Sequence, residues 1–71
     1  MFKRFGEKLA TLRKKHGLTI RQLGPMLDVN YSFVSQLERG VSKPNVIMLL
    51  KIANVFGVTT DQLIRDELEI E

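Results

Sequence analysis

The sequence predicts an all-α fold built as a compact bundle of five helices, and three observations lead to that prediction. Apolar residues recur with the three- and four-residue spacing that places them on one face of a helix. Capping residues stand before most of these segments, and a glycine follows three of them. No apolar stretch alternates with a period of two over any length, so strands are not expected. The 71 residues suffice for one small domain, residues 1–71, near the lower limit for a self-sufficient core.

An apolar stripe marks the first predicted helix and lies at Phe2, Phe5, Leu9 and Leu12. Four basic residues fall off this stripe and are expected on the charged outer side of the helix: Lys3, Arg4, Lys8 and Lys15. The helix should end at His16 and Gly17, because glycine is favoured just past a helix and histidine suits the negative helix end.

The second helix is predicted to begin at Thr19, which forms a capping box with Gln22. Gly24 and Pro25 interrupt it, and each disfavours helix. The apolar pair on either side keeps helical spacing, so we expect a short, bent helix through Leu27 with Pro25 facing solvent.

A break at Asp28 to Asn30 separates the second helix from the third. Asn30 is a good N-cap for the third helix, which should end at Gly40.

The third helix has two distinct faces when its residues are placed at 100° intervals. Phe33, Val34, Leu37, Asn30 and Glu38 lie on one side. The opposite side is polar and carries no carboxylate; it consists of Ser32, Ser35, Gln36 and Arg39, with Tyr31 on the flank. Such a face can read base edges in a DNA major groove. A merely solvated helix face is the plainer alternative, and this pattern alone does not exclude it.

Asn45 is expected to cap the fourth helix, which runs through Phe56 to Gly57, and Thr59 with Gln62 forms a capping box for the fifth. The expected core stripe of the fourth helix is Val46, Leu49, Ile52, Ala53 and Phe56. Further apolar residues of the last two predicted helices do not belong to this stripe; they are Ile47, Leu50, Val55, Ile64, Leu68 and Ile70. They could pack into the core as well, or they could form an interface with another molecule. We favour a homodimer interface formed by Ile47, Leu50, Val55, Ile64 and Leu68, since exposed apolar clusters usually mark contacts.

Positive charge is concentrated in the first part of the chain and negative charge in the last part. Residues 1–51 carry a net charge of +7 and residues 52–71 a net charge of −4, for +3 in total. This polarity indicates a polyanionic partner on one side, although a solvated mixed surface would have the same composition.

Several classes of function find no support in the sequence. There is no cysteine, and His16 is the only histidine, so no metal site and no cofactor are expected. No serine–histidine–aspartate arrangement or glycine-rich phosphate loop is present, and an enzyme is not predicted. No apolar run is long enough for a membrane span. The lack of cysteine suits the reducing cytoplasm.

The order of motifs resembles the Cro and phage-repressor type of helix-turn-helix protein, the XRE family. The segments LATLRKKHGLT and RQLGPMLDVN are similar to its first two helices, and YSFVSQLERG to its third helix with a terminal Glu-x-Gly. KPNVIMLLKIANVFGVTTDQLI is similar to the last two helices. The resemblance implies a helix-turn-helix at about residues 19–39 and binding of double-stranded DNA. It further implies a homodimer that controls transcription at a palindromic operator.

The resemblance also implies roles for individual residues. Base edges would be read by Tyr31, Ser32, Ser35 and Gln36. The DNA backbone would be contacted by Thr19, Ile20, Arg21, Arg39, Lys43 and Asn45. The side chain of Ile20 cannot bind phosphate, so Arg21 or the backbone would have to compensate. The resemblance implies that Gly24, where the family usually has alanine, provides a small contact between the second and third helices. Asp28, which replaces the glycine of the common Gly-Val-Ser turn, is expected to adopt the left-handed conformation, which aspartate tolerates better than most residues.

A buried ion pair between Arg13 and Glu38 is a further implication, and the inward position of Glu38 on its helix favours it over two independent surface charges. Repression by occlusion is the default mode, but activation needs only another operator position. The alternative from a different class is a protein-interaction module or antitoxin-type domain whose main partner is another protein.

Overall fold

The computed structural model describes residues 2–70, and its five α-helices confirm the predicted all-α fold. The helices are α1 (Phe5–Lys15), α2 (Ile20–Met26), α3 (Tyr31–Glu38), α4 (Val46–Phe56) and α5 (Thr60–Ile64). No residue in the described range 2–70 belongs to a strand. None of the helices in this range combines the length and apolarity that crossing a membrane requires.

Local hydrogen bonds define the helix ends where the sequence predicts them. Thr19 and Thr59 each form a capping box, and the side chains of Asn30 and Asn45 accept from N–H groups in the first turns of α3 and α4. α1 begins at Phe5, so the expectation that Phe2 belongs to this helix is wrong. Phe2 has a φ of 66° and instead packs its ring edge-on against the ring of Phe5.

The core contains apolar residues from all five helices, which are Phe5, Leu9, Leu12, Leu23, Leu27, Val34, Leu37, Met48, Leu49, Ile52, Ala53, Phe56 and Leu63. One assignment in α4 needs correction. Val46 is 71% exposed, whereas Met48 is only 7% exposed. The inward stripe of α4 begins at Met48 and continues one turn later at Ile52, so the first residue of the helix lies beyond the edge of the core.

Gly6 is the point at which α1 meets the C-terminal end of α3. A Cβ atom at this position would overlap the carbonyl oxygen of Glu38 and would lie 2.8 Å from that of Leu37. The missing side chain therefore allows the two helices to approach more closely than any other residue would permit.

Lys8 is the largest departure from the sequence-based expectation. It was expected on the charged outer side of α1, yet it is only 1% exposed. Its ammonium group donates to the carbonyl oxygens of Gln62, Arg65 and Leu68 at 2.6, 2.7 and 2.6 Å. These carbonyls belong to the C-terminal end of α5 and the segment after it, where a cation is favoured. All three N–H bonds of the ammonium group are thus satisfied inside the protein.

Arg4 holds the segment that follows α5 by further charged contacts. Its backbone N–H donates to Asp66 Oδ1 at 2.9 Å, and its guanidinium donates to the Asp66 carbonyl oxygen at 2.8 Å and to the Glu69 carboxylate at 3.1 and 3.3 Å. Hydrogen bonds from Arg4 lower the pKa values of both carboxyl groups. α5 ends at Ile64, so Leu68 lies in this segment, residues 65–70, rather than in the fifth helix.

Candidate nucleic-acid interface

The turn between α2 and α3 is fixed by backbone hydrogen bonds. The N–H of Asp28 donates to the Pro25 carbonyl at 3.1 Å, and that of Val29 donates to the Gly24 carbonyl at 3.0 Å. This pair of bonds closes a helix C-terminus, with the residue after the cap in the left-handed conformation. Asp28 has a φ of 58°, which confirms the conformation predicted for it.

The glycine–proline pair is accommodated inside α2. The helix continues to Met26 with Leu27 as its C-cap, one residue short of the predicted end, and Pro25 is exposed as expected. Proline removes the N–H that would bond to the carbonyl of Arg21. The bend expected at this position stays a prediction.

Gly24 allows α3 to begin directly against α2. A Cβ atom on Gly24 would lie 2.9 Å from the carbonyl oxygen of Val29 and 3.0 Å from the N and Cα atoms of Tyr31. These are backbone atoms that cannot move aside alone. The small contact expected between the two helices is therefore present at this residue.

All four residues expected to read bases are on α3, but they differ in accessibility. Tyr31 is 41% exposed and Ser32 is exposed, whereas Ser35 and Gln36 are half-buried. The Gln36 side chain is not free, because its Oε1 accepts a hydrogen bond of 2.9 Å from the Ser42 hydroxyl in the following turn. Its amide N–H₂ and one oxygen lone pair remain available.

Tyr31 has an additional partner that the sequence did not reveal. The guanidinium carbon of Arg21 lies 4.3 Å from the centroid of the Tyr31 ring, within cation–π distance. The two residues are ten positions apart, and Gly24, which lies between them in the chain, lets α2 pass close to the start of α3. A cation and an aromatic residue at this separation give no signal in the sequence alone.

The residues expected at the DNA backbone flank α3 on both sides. Arg21, Arg39 and Lys43 are exposed cations. Asn45 is exposed but uses its Oδ1 to accept from the N–H of Met48 at 2.8 Å. Ile20 is half-buried against the core.

Thr19 is exposed and caps α2. Its backbone N–H donates to Gln22 Oε1 at 2.8 Å, and its hydroxyl oxygen accepts from the N–H of Gln22 at 3.1 Å. The capping box thus uses the backbone N–H of Thr19, whereas its hydroxyl proton can still be donated. A contact between Thr19 and the DNA backbone stays a prediction.

Arg13 and Glu38 form a two-point ion pair that joins the ends of α1 and α3. Arg13 donates from Nε to Glu38 Oε2 at 2.7 Å and from Nη2 to Oε1 at 3.1 Å, and both side chains are largely buried. Its third donor, Nη1, reaches the carbonyl oxygen of Leu18 at 2.9 Å. The hydrogen bond to Glu38 raises the pKa of Arg13 and so favours its charged form. The ion pair fixes the position of α3 in the bundle.

The apolar residues considered for an interface separate into two groups. Val55 and Ile64 are half-buried and pack against the core, as additional core would. Ile47 and Leu50 are more than half exposed and lie beside Val46 on α4. These three residues, Val46, Ile47 and Leu50, are called the α4 apolar patch below. Leu68 is exposed in segment 65–70.

His16 lies at the C-terminal end of α1, as predicted. Its Nδ1 is 2.9 Å from the carbonyl oxygen of Leu12, and its ring packs edge-on against Phe56 with a centroid distance of 4.9 Å. Within residues 2–70, no three His, Cys, Asp or Glu side chains are grouped so that they could hold a metal ion.

The sequence matches the family model described as helix-turn-helix over residues 9–63. It is 40% identical over 63 residues to the HTH-type transcriptional activator BcrR of Enterococcus faecalis, covering 89% of this chain and 31% of BcrR. It is 33% identical over 64 residues to the HTH-type transcriptional regulator ImmR of Bacillus subtilis, covering 89% of this chain and 50% of ImmR. The chain thus spans 31% of the length of BcrR and 50% of that of ImmR. The sequence is also 33% identical over 64 residues to Control protein C.MunI of Mycoplasma sp. This match covers 89% of this chain and 86% of C.MunI.

Solved structures with the same fold include a protein–DNA complex. The P22 c2 repressor protein bound to a synthetic operator superposes with a TM-score of 0.83 at 30% sequence identity, covering 89% of this chain and 96% of the repressor chain. A transcriptional regulator from Listeria innocua superposes with a TM-score of 0.82 at 31% identity, covering 94% of this chain and 63% of the other.

Proposed function

This chain belongs to the helix-turn-helix family, in its phage-repressor (XRE) type, and from that membership we propose that it is a sequence-specific DNA-binding transcriptional regulator. The observation that carries the proposal is the outer face of α3. This face holds Tyr31, Ser32, Ser35 and Gln36 and no carboxylate, and exposed cations flank it. Phosphates would repel a carboxylate at this position, whereas hydroxyl and amide groups can bond to base edges.

Gln36 is the residue on α3 best suited to read a single base. A glutamine amide can donate to N7 of adenine and accept from its N6 amino group. The hydroxyl of Ser42 occupies one lone pair of Gln36 Oε1 and leaves the second for this bond. Since Ser42 holds the amide, Gln36 would enter the groove with its side chain already oriented.

The cations around α3 would hold the protein on the DNA backbone. Arg39 and Lys43 follow the helix and are exposed. Each phosphate neutralised by such a residue releases condensed counterions, so affinity falls as salt is raised. These contacts would fix orientation without conferring sequence preference. As a regulator acting on DNA, the protein would work in the cytoplasm.

A homodimer is the assembly that we propose. The α4 apolar patch offers a surface for a second copy, because each of its three residues is more than half exposed. A two-fold dimer would place the two α3 helices about 34 Å apart, one turn of DNA, on a palindromic operator. We expect repression by occlusion. BcrR is named an activator and the P22 c2 protein a repressor, so similar proteins act in both directions. The position of the operator relative to the promoter would decide between repression and activation.

Selection of bound duplexes from random sequence tests the proposed function directly. We expect a palindromic site to be recovered, and its binding constant to fall steeply between low and physiological salt. Failure to select any sequence, together with binding that is insensitive to salt, would contradict DNA binding. That outcome would favour the protein-interaction or antitoxin-type alternative.

Gln36→Ala tests the proposed reading residue, with Lys43→Gln as its matched control. Gln36→Ala should relax the preference at one base pair per half-site at a cost of about 1–3 kcal/mol. Lys43→Gln should instead weaken binding equally for all sequences and reduce the salt slope by about one. Uniform weakening by Gln36→Ala would show that this residue contacts the backbone.

Ile47→Asp tests the proposed dimer, with Leu68→Asp as the comparison, because both residues are exposed and apolar. Sedimentation equilibrium at tens of micromolar should show a dimer that Ile47→Asp dissociates and that Leu68→Asp preserves. A monomer at these concentrations would contradict the dimer, and dissociation by Leu68→Asp alone would move the interface to segment 65–70.

A further inference from the structure

Arg21 is an exposed residue of α2 whose guanidinium lies over the first residue of α3. The distance from its central carbon to the centroid of the Tyr31 ring is 4.3 Å. Gly24, one turn further along α2, lies against the backbone of Tyr31, and a side chain there would collide with it. The cation is therefore placed beside the residue with which the base-reading face begins.

Arg21 differs from three other arginines of the domain in its partner. Arg4, Arg13 and Arg65 each lie next to carboxylates. Within residues 2–70, Arg21 has no carboxylate at salt-bridge distance, and its guanidinium contacts the Tyr31 ring. A cation–π contact uses no N–H donor of the guanidinium, so these donors can bind a ligand. Arg21 thus has a defined partner and a planar set of donors without a protein acceptor among the described residues.

A guanidinium with free donors matches two acceptors that DNA offers, which are a phosphate and the O6 and N7 atoms of guanine. The location of Tyr31 favours the guanine. Tyr31 is the first residue of α3, the helix proposed to enter the major groove, and it is 41% exposed, so the cation over its ring lies beside the proposed base-reading face. We propose that Arg21 is a specificity-determining residue that reads a guanine in each half-site, and that Tyr31 positions it. This inference rests on the proposed function and replaces the backbone role predicted for Arg21.

The inference also gives an approximate spacing within the operator. Tyr31 and Gln36 are separated by five residues of α3, which corresponds to about 7.5 Å along the helix. Base pairs are stacked about 3.4 Å apart. The guanine read by Arg21 should therefore lie roughly two to three base pairs from the base read by Gln36.

Single-base variants of the selected operator, measured at several salt concentrations, test the inference. Arg21→Lys retains the charge but loses the planar pair of donors. It should lower the preference for guanine at one position by about 5- to 150-fold, the equivalent of about 1–3 kcal/mol, and leave the salt slope unchanged. Arg39→Lys, the matched control, should leave every base preference intact.

Variants of Tyr31 test the positioning role. Tyr31→Phe keeps the ring and should retain the guanine preference, whereas Tyr31→Leu removes it and should lose that preference as Arg21→Lys does. The double variant Arg21→Lys/Tyr31→Leu should be no worse at this position than either single variant, because the two residues act as a unit. Circular dichroism melts verify that each variant is folded.

Two results would overturn the inference without affecting the proposed function. The first is a selected operator with no guanine at the predicted spacing. The second is an Arg21→Lys variant that discriminates all bases as the wild type does, with Arg21→Gln weakening every sequence equally and lowering the salt slope by about one. Arg21 would then be a phosphate contact. If no duplex is selected at all, the proposed function fails and the inference fails with it.

Discussion

Replacing Lys8 by methionine tests whether a buried cation holds the C-terminal segment in place. Methionine keeps an unbranched apolar side chain but removes the ammonium group. The carbonyl oxygens of Gln62, Arg65 and Leu68, bonded at 2.6–2.7 Å, would then lose their donor. We expect segment 65–70 to detach from α1 and the whole domain to be less stable.

The expected loss follows from two opposing contributions. A hydrogen bond that involves a charged group contributes about 1.5–3 kcal/mol, so three of them contribute several kcal/mol in total. Taking an ammonium group out of water costs several kcal/mol, which cancels part of that sum. Detachment of segment 65–70 would let water reach the carbonyls and limit the loss further. We therefore expect Lys8→Met to lower the free energy of unfolding by about 2–3 kcal/mol, a net effect smaller than the three bonds suggest.

Urea denaturation followed by far-ultraviolet circular dichroism measures this difference. Lys14→Met is the matched control, because Lys14 lies on the same helix and is exposed. It should change the free energy of unfolding by less than about 0.5 kcal/mol. A Lys8→Met protein as stable as the control, or more stable, would refute the reasoning. It would mean that the three hydrogen bonds only offset the cost of burying the charge.

Three further predictions concern contacts that join distant parts of the chain. Arg13→Ala should cost about 3–5 kcal/mol in urea denaturation because it leaves the Glu38 carboxylate buried without its partner; a loss below about 1 kcal/mol would contradict the ion pair's importance. Gly6→Ala should lower stability by about 1–3 kcal/mol despite the better helix propensity of alanine, since the new methyl group would collide with α3 backbone; a more stable variant would show that the helices can separate. Acid should weaken the contacts between Arg4 and segment 65–70. Hydrogen bonds from the backbone N–H of Arg4 to Asp66 and from its guanidinium to Glu69 lower the pKa values of the two carboxyl groups, so their contribution is present above the unfolded-state pKa and is lost as the pH falls through the lower folded-state pKa. Amide NMR signals of this segment should change in that acidic range. Arg4→Gln should move the change at Glu69 to higher pH and leave the change at Asp66 in place, because glutamine retains the backbone N–H; an unmoved change at Glu69 would contradict the role of the guanidinium.

The parts of the structure that depend on neighbouring residues could be predicted from the sequence. Asn30 and Asn45 were identifiable as caps because each bonds to an N–H two or three residues away. The left-handed conformation of Asp28 was implied by the family resemblance, in which Asp28 takes the place of a glycine. The resemblance also implied the pairing of Glu38 with Arg13, and helical periodicity supported it by placing this carboxylate on the inward face of α3.

The parts that depend on distant backbone could not be predicted in the same way. Lys8 bonds to carbonyl oxygens 54, 57 and 60 residues away, and every residue has such an oxygen, so its acceptors leave no trace in the sequence. The contact between Arg21 and Tyr31 depends on how closely two helices approach, which no single residue reports. In the candidate site, the sequence therefore identified which residues lie on the outer face of α3 but not the partners that orient them.

The pairing of the two ends of the described chain has a consequence for protein engineering. The N–H of Phe2 donates to the carbonyl of Ile64 at 3.0 Å, and Arg4 bonds to Asp66 and Glu69. The domain could therefore be inserted into a surface loop of a host protein through two adjacent junctions, without stretching either. A circular permutant that joins these ends and opens the chain in the loop between α3 and α4 should retain the bundle, since the bonds that close it do not depend on which residue comes first.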